Sequence, residues 1–305
     1  MKHFLQLYDW SADDLWHMLQ MAVHLKMEWQ SGGNRPILKN KILGMVFQKP
    51  SLRTRVSFEV AMQHLGGSAL MLGPQEIGLG KRESIADVSR VLSGYVQCIM
   101  ARVFDHQHVL DLAEYSRVPV INGLSDSTHP CQAMADMLTI YEKFGQLEGL
   151  KLTFVGDGNN VAASLAYACA HFGMEFVLAA PDAYRLPDEV VQRANKIGED
   201  RSVEIQQTSS VEEAVEDSDI IYTDTWVSMG QEDEVAARLK EFQPYQVNAG
   251  VVQLASPDAI VMHCLPAHRG EEITDDVADG VHSAIFQQAE NRLHAQKAIL
   301  VKLLS

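Results

Sequence analysis

The chain has 305 residues, long enough for two domains of about 150 residues each rather than one ordinary core. With 47% hydrophobic and 21% charged residues it is ordinary globular material, which excludes collagen-like, coiled-coil and extensively disordered classes. Forty acidic against 25 basic residues give a formal charge of −15, which repels nucleic acid and anionic membranes, so an anionic substrate needs locally concentrated positive charge.

The first ten residues, Met1 to Trp10, contain neither an apolar core nor a small-residue cleavage site, so no secretory signal is expected. The most apolar stretches are interrupted by His171, Glu175 or Pro257, well short of the ~20 apolar residues of a membrane span. A cytoplasmic location is the expectation. Cys98, Cys131, Cys169 and Cys264 stand singly without C-x-x-C spacing, so four free thiols are expected rather than a disulfide framework or a zinc knuckle.

Ser11 followed by Leu15, Met18, Leu19, Ala22 and Leu25 predicts an N-capped amphipathic helix. Ile42 to Phe47 reads as a strand, and Ser51 then caps a helix with Val56, Val60, Ala61 and Leu65 on its apolar face, stopped at Gly66-Gly67. The alternation continues with a strand at 68–72, a helix at 85–92, a strand at 98–101, a helix at 108–115 and a strand at 118–121. A long helix from His129 to Phe144 leads to a break at Gly145 to Gly149. Lys151 to Val155 opens a second series, with strands expected at 176–180, 203–205, 219–223 and 260–263. The last helix runs from Phe286 to Leu304. Strands alternating with helices at this spacing predict two α/β domains, each a doubly wound parallel sheet. Their expected bounds are 1–140, with the C-terminal helix 286–305 returning to that domain, and 141–285.

Several stretches carry polar groups where such sheets bind ligands, at the carboxyl ends of strands. In Ser51-Leu52-Arg53-Thr54-Arg55, hydroxyls and guanidiniums sit at a helix start, where unpaired N–H groups and the dipole attract anions. A capped helix with two solvated arginines fits the same pattern. Arg102 directly follows a strand, as a surface charge also can. His129 and Gln132 lie one helical turn apart and can donate to a substrate carbonyl, although a histidine capping a helix accounts for His129 as well. Gly156-Asp157-Gly158-Asn159-Asn160 suggests a dinucleotide fingerprint, but Val161 occupies the place of the third glycine. The asparagines suit the α-groups of an amino acid. Asp224 ends a strand and can hold a cationic amine. Cys264 lies beside another strand end; His263, Cys264 and His268 lack a fourth ligand at a metal-site spacing, and no base is assignable to activate the thiol, so a polar lining role is expected.

Taken together, Ser51 to Arg55, His129-Pro130-Cys131-Gln132, Asp224 to Gly230 and His263-Cys264-Leu265-Pro266 resemble, in order, the motifs of the ornithine carbamoyltransferases within the aspartate/ornithine carbamoyltransferase superfamily. The likeness runs from the first helix to Glu290-Asn291-Arg292. It implies transfer of the carbamoyl group of carbamoyl phosphate to the side-chain amine of L-ornithine, giving L-citrulline and phosphate, with the active site in the cleft between the two domains. It implies that Ser51, Arg53, Thr54 and Arg55 bind the phosphate, with Leu52 supplying a backbone N–H. Arg102, His129 and Gln132 would hold and polarise the carbamoyl oxygen, Cys264 and Leu265 would orient the carbamoyl NH2, and Arg292 would reach the same ligand. Asn160, Asp224, Ser228 and Met229 match the family's ornithine contacts, with Asn159 the alternative to Asn160. The catalytic set is then Arg102, His129, Gln132, Asp224 and Cys264.

The resemblance also implies a homotrimer or a multiple of trimers, and no cofactor or metal. Many members carry threonine where Leu52 stands. The stretch Gly80-Lys81-Arg82-Glu83 resembles a loop that reaches a neighbouring subunit in related enzymes. Three rival readings remain: another amine acceptor such as putrescine, N-acetylornithine or aspartate; a non-catalytic binding protein that kept the pocket; and a nicotinamide dehydrogenase.

Overall fold

The computed structural model describes residues 2–80, 82–227 and 234–305. The chain divides into two compact units, Met1–Leu138 with Glu290–Ser305, and Thr139–Ala289. Among the described residues, no helix is long and apolar enough to cross a membrane.

The first unit contains α1 (Ala12–Gln30), β1 (Ile42–Phe47), α2 (Leu52–His64), β2 (Ser68–Leu72), α3 (Pro74–Ile77), α4 (Ile85–Leu92), β3 (Cys98–Arg102), α5 (His106–Tyr115) and β4 (Val120–Leu124). Ser11 caps α1 by accepting from the Asp14 N–H, as its position before the periodic segment predicts. The four strands lie in the order β2-β1-β3-β4, every pair parallel. The order reverses between β1 and β3, where Phe47 pairs with Arg102. Two chain segments therefore diverge at those carboxyl ends and leave a crevice, the place where open α/β sheets take ligands. Val46, Ile99, Ala101, Val109 and Leu112 belong to the core that fixes this corner.

The boundary between the units falls inside α6 (Pro130–Phe144), and its return inside the C-terminal helix. The second unit contains β5 (Lys151–Val155), α7 (Asn160–Phe172), β6 (Glu175–Ala179), α8 (Asp188–Gly198), β7 (Ile205–Thr208), α9 (Val211–Val215), β8 (Ile220–Thr223), α10 (Val235–Phe242), α11 (Ala249–Val252), β9 (Ile260–His263) and α12 (Asp275–Ala278); α13 (Ile285–Leu304) closes the chain. Its parallel strands run β7-β6-β5-β8-β9, and the order reverses between β5 and β8, with Val155 opposite Thr223.

Three elements differ from the sequence expectation. The strand expected at 118–121 is Val120–Leu124: Pro119 has no N–H to give the ladder, while buried Asn122 sits inside the strand because its amide donates to the Leu5 carbonyl. The strand expected at 203–205 is Ile205–Thr208. As an edge strand it pairs on one side with β6, and its polar Gln206, Gln207 and Thr208 hide the pattern. The helix expected from His108 starts at His106, because the Asp105 carboxylate accepts from the Gln107 N–H and caps it.

Gly158 shows why Gly-x-Gly occurs here without a dinucleotide fingerprint. Its N–H donates to the Tyr184 carbonyl at 2.8 Å, and a Cβ at this position would stand 2.6 Å from the Leu186 nitrogen and 2.7 Å from the Arg185 carbonyl carbon. The glycine permits close approach of two backbone segments. Gly158→Ala is expected to destabilise the protein by about 1–3 kcal/mol, as overpacking against backbone does, read as a lowered urea midpoint. An unchanged midpoint would mean that the 184–186 segment yields freely.

Candidate active site

At the reversal point of the first sheet, Ser51 has extended backbone and caps α2; its hydroxyl accepts from the Thr54 N–H and donates to the Thr54 hydroxyl. Thr54 is fully buried, and Arg102 Nη1 at 3.4 Å and Arg292 Nη2 at 2.9 Å both donate to its Oγ1. Arg102 comes from the end of β3 and Arg292 from α13, so one hydroxyl collects buried guanidiniums from distant parts of the chain. The arginine after the strand is thus no surface charge. Arg53 is half-buried, and its guanidinium has no protein partner among the described residues. Arg55 diverges: it is about half exposed and lies 3.5 Å from Glu59 one turn along α2. Leu52 is 75% exposed, so its side chain contributes nothing to this buried cluster.

His129 precedes α6 and is buried; its imidazole is held well below its usual pKa by burial, and further by the positive charges of Arg292, Arg102 and Lys49. It is therefore neutral near pH 7, with one ring N–H to donate. Gln132, also buried, donates from Nε2 to Asp136 Oδ1 at 2.8 Å along the same helix. Lys49 is a residue that the sequence reading did not assign. Its ammonium is buried, sits 4.8 Å from the Phe104 ring centre, and is lowered to about 8 by burial and then by Arg102. Its position beside Pro50 gives no signal of this; only the packing of Phe104 over it does.

At the reversal point of the second sheet, Asn159 caps α7, its Oδ1 accepting from the Val161 and Ala162 N–H groups, while its Nδ2 donates to Asp224 Oδ2 at 3.0 Å. Asp224 is buried, and its Oδ1 accepts from the Thr225 N–H at 2.8 Å and from the Cys264 thiol at 3.0 Å. Asn159 thus aims this carboxylate; Asn160 is half-buried as the first residue of α7. Asp157 and Arg238 form a buried ion pair at 2.9 Å, and Arg238 also donates to the Trp226 carbonyl. Burial raises the Asp157 carboxyl above its usual range, an effect that Arg238 opposes.

Cys264 and Leu265 are carried by a loop fastened from beneath. Leu265 has a positive φ of 60°, and its N–H donates to His263 Nδ1 at 2.9 Å. His263 Nε2 in turn donates to Glu272 Oε1 at 2.9 Å, and the same oxygen accepts from the His268 N–H. Glu272, which the sequence reading left unassigned, so holds both ends of the turn. Ligand atoms of Asp224, His263 and Cys264 lie within 4.8 Å of one another, as in a metal site. Both ring nitrogens of His263 are committed to protein partners, however, so binding a metal would cost one of those bonds. Ser228 and Met229, and Lys81 of the other loop, lie outside the described residues.

Comparison with known proteins agrees with this geometry. Residues 2–142 match the family description "Aspartate/ornithine carbamoyltransferase, carbamoyl-P binding domain", and residues 148–303 match "Aspartate/ornithine carbamoyltransferase, Asp/Orn binding domain". The chain is 52% identical over 303 residues to a protein of Anoxybacillus flavithermus named ornithine carbamoyltransferase, covering 99% of this chain and 96% of that one. It is 53% identical over 304 residues to the protein of that name from Archaeoglobus fulgidus, covering 100% and 98%. The solved ornithine carbamoyltransferase of Pyrococcus furiosus superimposes with a TM-score of 0.97 at 51% identity, covering 99% of this chain and 97% of that one. Two parallel-sheet units, each with a polar cluster at its strand-order reversal, and full-length relatives at half identity place this chain in the aspartate/ornithine carbamoyltransferase family.

Proposed function

We propose that this protein is an ornithine carbamoyltransferase, joining carbamoyl phosphate and L-ornithine into L-citrulline and phosphate by direct attack of the side-chain amine on the carbamoyl carbon. One observation carries the donor side: Arg102 and Arg292, buried from distant parts of the chain, converge on the hydroxyl of Thr54 in the first turn of an N-capped helix. Such a cluster suits the phosphate of a small dianion, with Ser51, Arg53 and the N–H groups of α2 adding donors. Arg102 and the neutral His129 stabilise negative charge developing on the carbamoyl oxygen, and phosphate leaves as the C–O bond breaks. Ornithine as acceptor rests on Asp224, whose carboxylate is oriented by Asn159, Thr225 and Cys264 to hold the amine; the names of the relatives at half identity support the same choice. The neutral amine is the nucleophile, so the side-chain ammonium gives up one proton before attack, and as the C–N bond forms and the C–O bond breaks a second proton leaves the nitrogen, taken by the departing phosphate or by solvent. Binding energy goes into alignment of amine and carbonyl carbon.

The assembly in this reading is a homotrimer or a multiple of one. Leu52 and Val56 are exposed one turn apart on α2, at 75% and 45%, as a subunit contact would use them. Four buried free thiols suit a reducing cytoplasm.

Carbamoyl transfer, read as phosphate release dependent on the amine, is expected with L-ornithine and not with putrescine or N-acetylornithine. Asp224→Asn should lower kcat/KM for ornithine on the order of 10²-fold while leaving the Kd for carbamoyl phosphate nearly unchanged; equal damage to both ligands tells against Asp224 as an acceptor group. Sedimentation equilibrium should return a multiple of three times the 33.9 kDa subunit mass, and a monomer or dimer contradicts the assembly. Lys49 predicts a pH dependence. A phosphate dianion favours the charged ammonium, so binding takes up a proton wherever free Lys49 is neutral. Affinity for carbamoyl phosphate should hold below about pH 8 and fall above it, as the Lys49 value of about 8 requires, by at most about tenfold per pH unit. The decline should disappear in Lys49→Met; a wild-type affinity that stays flat to pH 9.5 excludes Lys49 from the donor site.

A further inference from the structure

Arg292 reaches Thr54 from the last helix of the chain, and α1 holds that helix at two points close to the arginine. Lys26, on α1 and 8% exposed, donates from Nζ to Asn291 Oδ1 at 2.7 Å, and Asn291 directly precedes Arg292. Nearly two turns further along α13, fully buried Lys297 donates to Asn34 Oδ1 at 2.6 Å and lies 4.9 Å from the centre of the Trp29 ring on α1. Asn34 follows α1 and is pinned back to it, its Nδ2 donating to the Leu25 carbonyl at 2.8 Å and to Glu28 Oε2 at 2.9 Å. The grip is reciprocal: each side lends one lysine, and each lysine ends on an amide oxygen attached to the other.

Buried lysines are a costly way to join helices. Each polar tip leaves water for an uncharged amide, and an apolar side chain of similar length would pack there without that cost. What the lysines supply is direction. Ala295, Ala298, Ile299 and Leu300 are buried along α13, but apolar contact is non-directional and survives rotation or sliding of a helix. A hydrogen bond inside the protein does not, because misalignment breaks it where no water replaces it. Successive residues leave a helix about 100° apart, so Asn291 held by α1 fixes the side on which Arg292 emerges. There its Nη2 donates to Thr54 Oγ1 at 2.9 Å. A rotation that carried the guanidinium off this hydroxyl would break the Lys26 bond at the same time.

We propose that Lys26 and Asn34 are positioning residues: by gripping α13 at Asn291 and Lys297 they set the rotation that delivers Arg292 to the donor site, and so govern carbamoyl phosphate binding without touching the ligand. The proposal deepens the donor-site reading above and rests on it.

A double-mutant cycle tests it. The probe is phosphonoacetamide, a hydrolysis-resistant amide that carries a phosphonate group, titrated by calorimetry into the purified full-length protein, with cooperative thermal unfolding as the check that each variant is folded. In otherwise wild-type protein, Lys26→Met should weaken binding about tenfold and Asn34→Ala about fourfold. Arg292→Met alone should weaken it on the order of 10²-fold. Adding either substitution to Arg292→Met should change the remaining affinity by less than twofold, because residues that act through Arg292 then have nothing left to position. A merely structural role would cost the same factor in both backgrounds. Asn34 is only half-buried, so Asn34→Ala decides should Lys26→Met not fold. A folded variant of either kind that binds within twofold of wild type, or that loses the same factor with and without Arg292, overturns the proposal alone. A wild-type protein that does not bind the probe, or an Arg292→Met protein that binds it as tightly as wild type, overturns the donor-site reading with it.

Discussion

Burying positive charge is costly unless something negative or strongly polar meets it, and the first unit is organised around that constraint. Thr54 receives Arg102 and Arg292 at one hydroxyl, and the α2 dipole points its positive end at the same place. The depressed values of His129 and Lys49 come first from burial and then from the positive charges beside them, in a chain that as a whole carries −15. An anion relieves this at once, which is why a negatively charged protein can hold a negatively charged substrate. The helix that brings Arg292 is the last in the chain, so the cluster around Thr54 depends on residues 290–305 packing with the first 138.

The second unit addresses the opposite problem, keeping a buried carboxylate aimed. Asp224 accepts from a side-chain amide, a backbone N–H and a thiol, each from a different segment meeting where the strand order reverses. The turn carrying Cys264 is held by His263 and Glu272, both fully buried, through hydrogen bonds to Leu265 and His268. Pre-set geometry of this kind is worth more than extra contacts, because groups that need not reorganise act at full strength on developing charge. Both clusters sit at the carboxyl ends of strands, so the rigid sheets fix the origin of each side chain and short loops supply the chemistry.

Much of this is legible in the sequence because it rests on local rules. The alternation of apolar runs with capped helices predicts two parallel sheets, and Ser51 and Ser11 cap helices as their spacing indicates. Arg102, His129, Gln132, Asp224 and Cys264 all stand beside strand ends or at a helix start, where side chains project toward ligands. The less accurate expectations share a cause as well. An edge strand with polar residues, such as Ile205–Thr208, has no period-two signature, and Asn122 belongs to a strand only because a distant carbonyl receives its amide. Arg55 and Arg53 are indistinguishable by motif; helical geometry turns one toward Glu59 at the surface and leaves the other half-buried.

The sequence by itself determined the order of elements, the alternation from which parallel sheets follow, the caps at Ser11 and Ser51, and the residue types able to bind an anion and an amine, since each rests on patterns within a few residues along the chain. Tertiary structure alone decided which of those residues share an environment. Lys49 becomes a buried cation through Phe104, Arg292 meets Thr54 across 238 positions, and Asn159 aims Asp224 across 65 positions. Burial and long-range pairing set charge states and orientations, and neither is written in any local stretch of sequence.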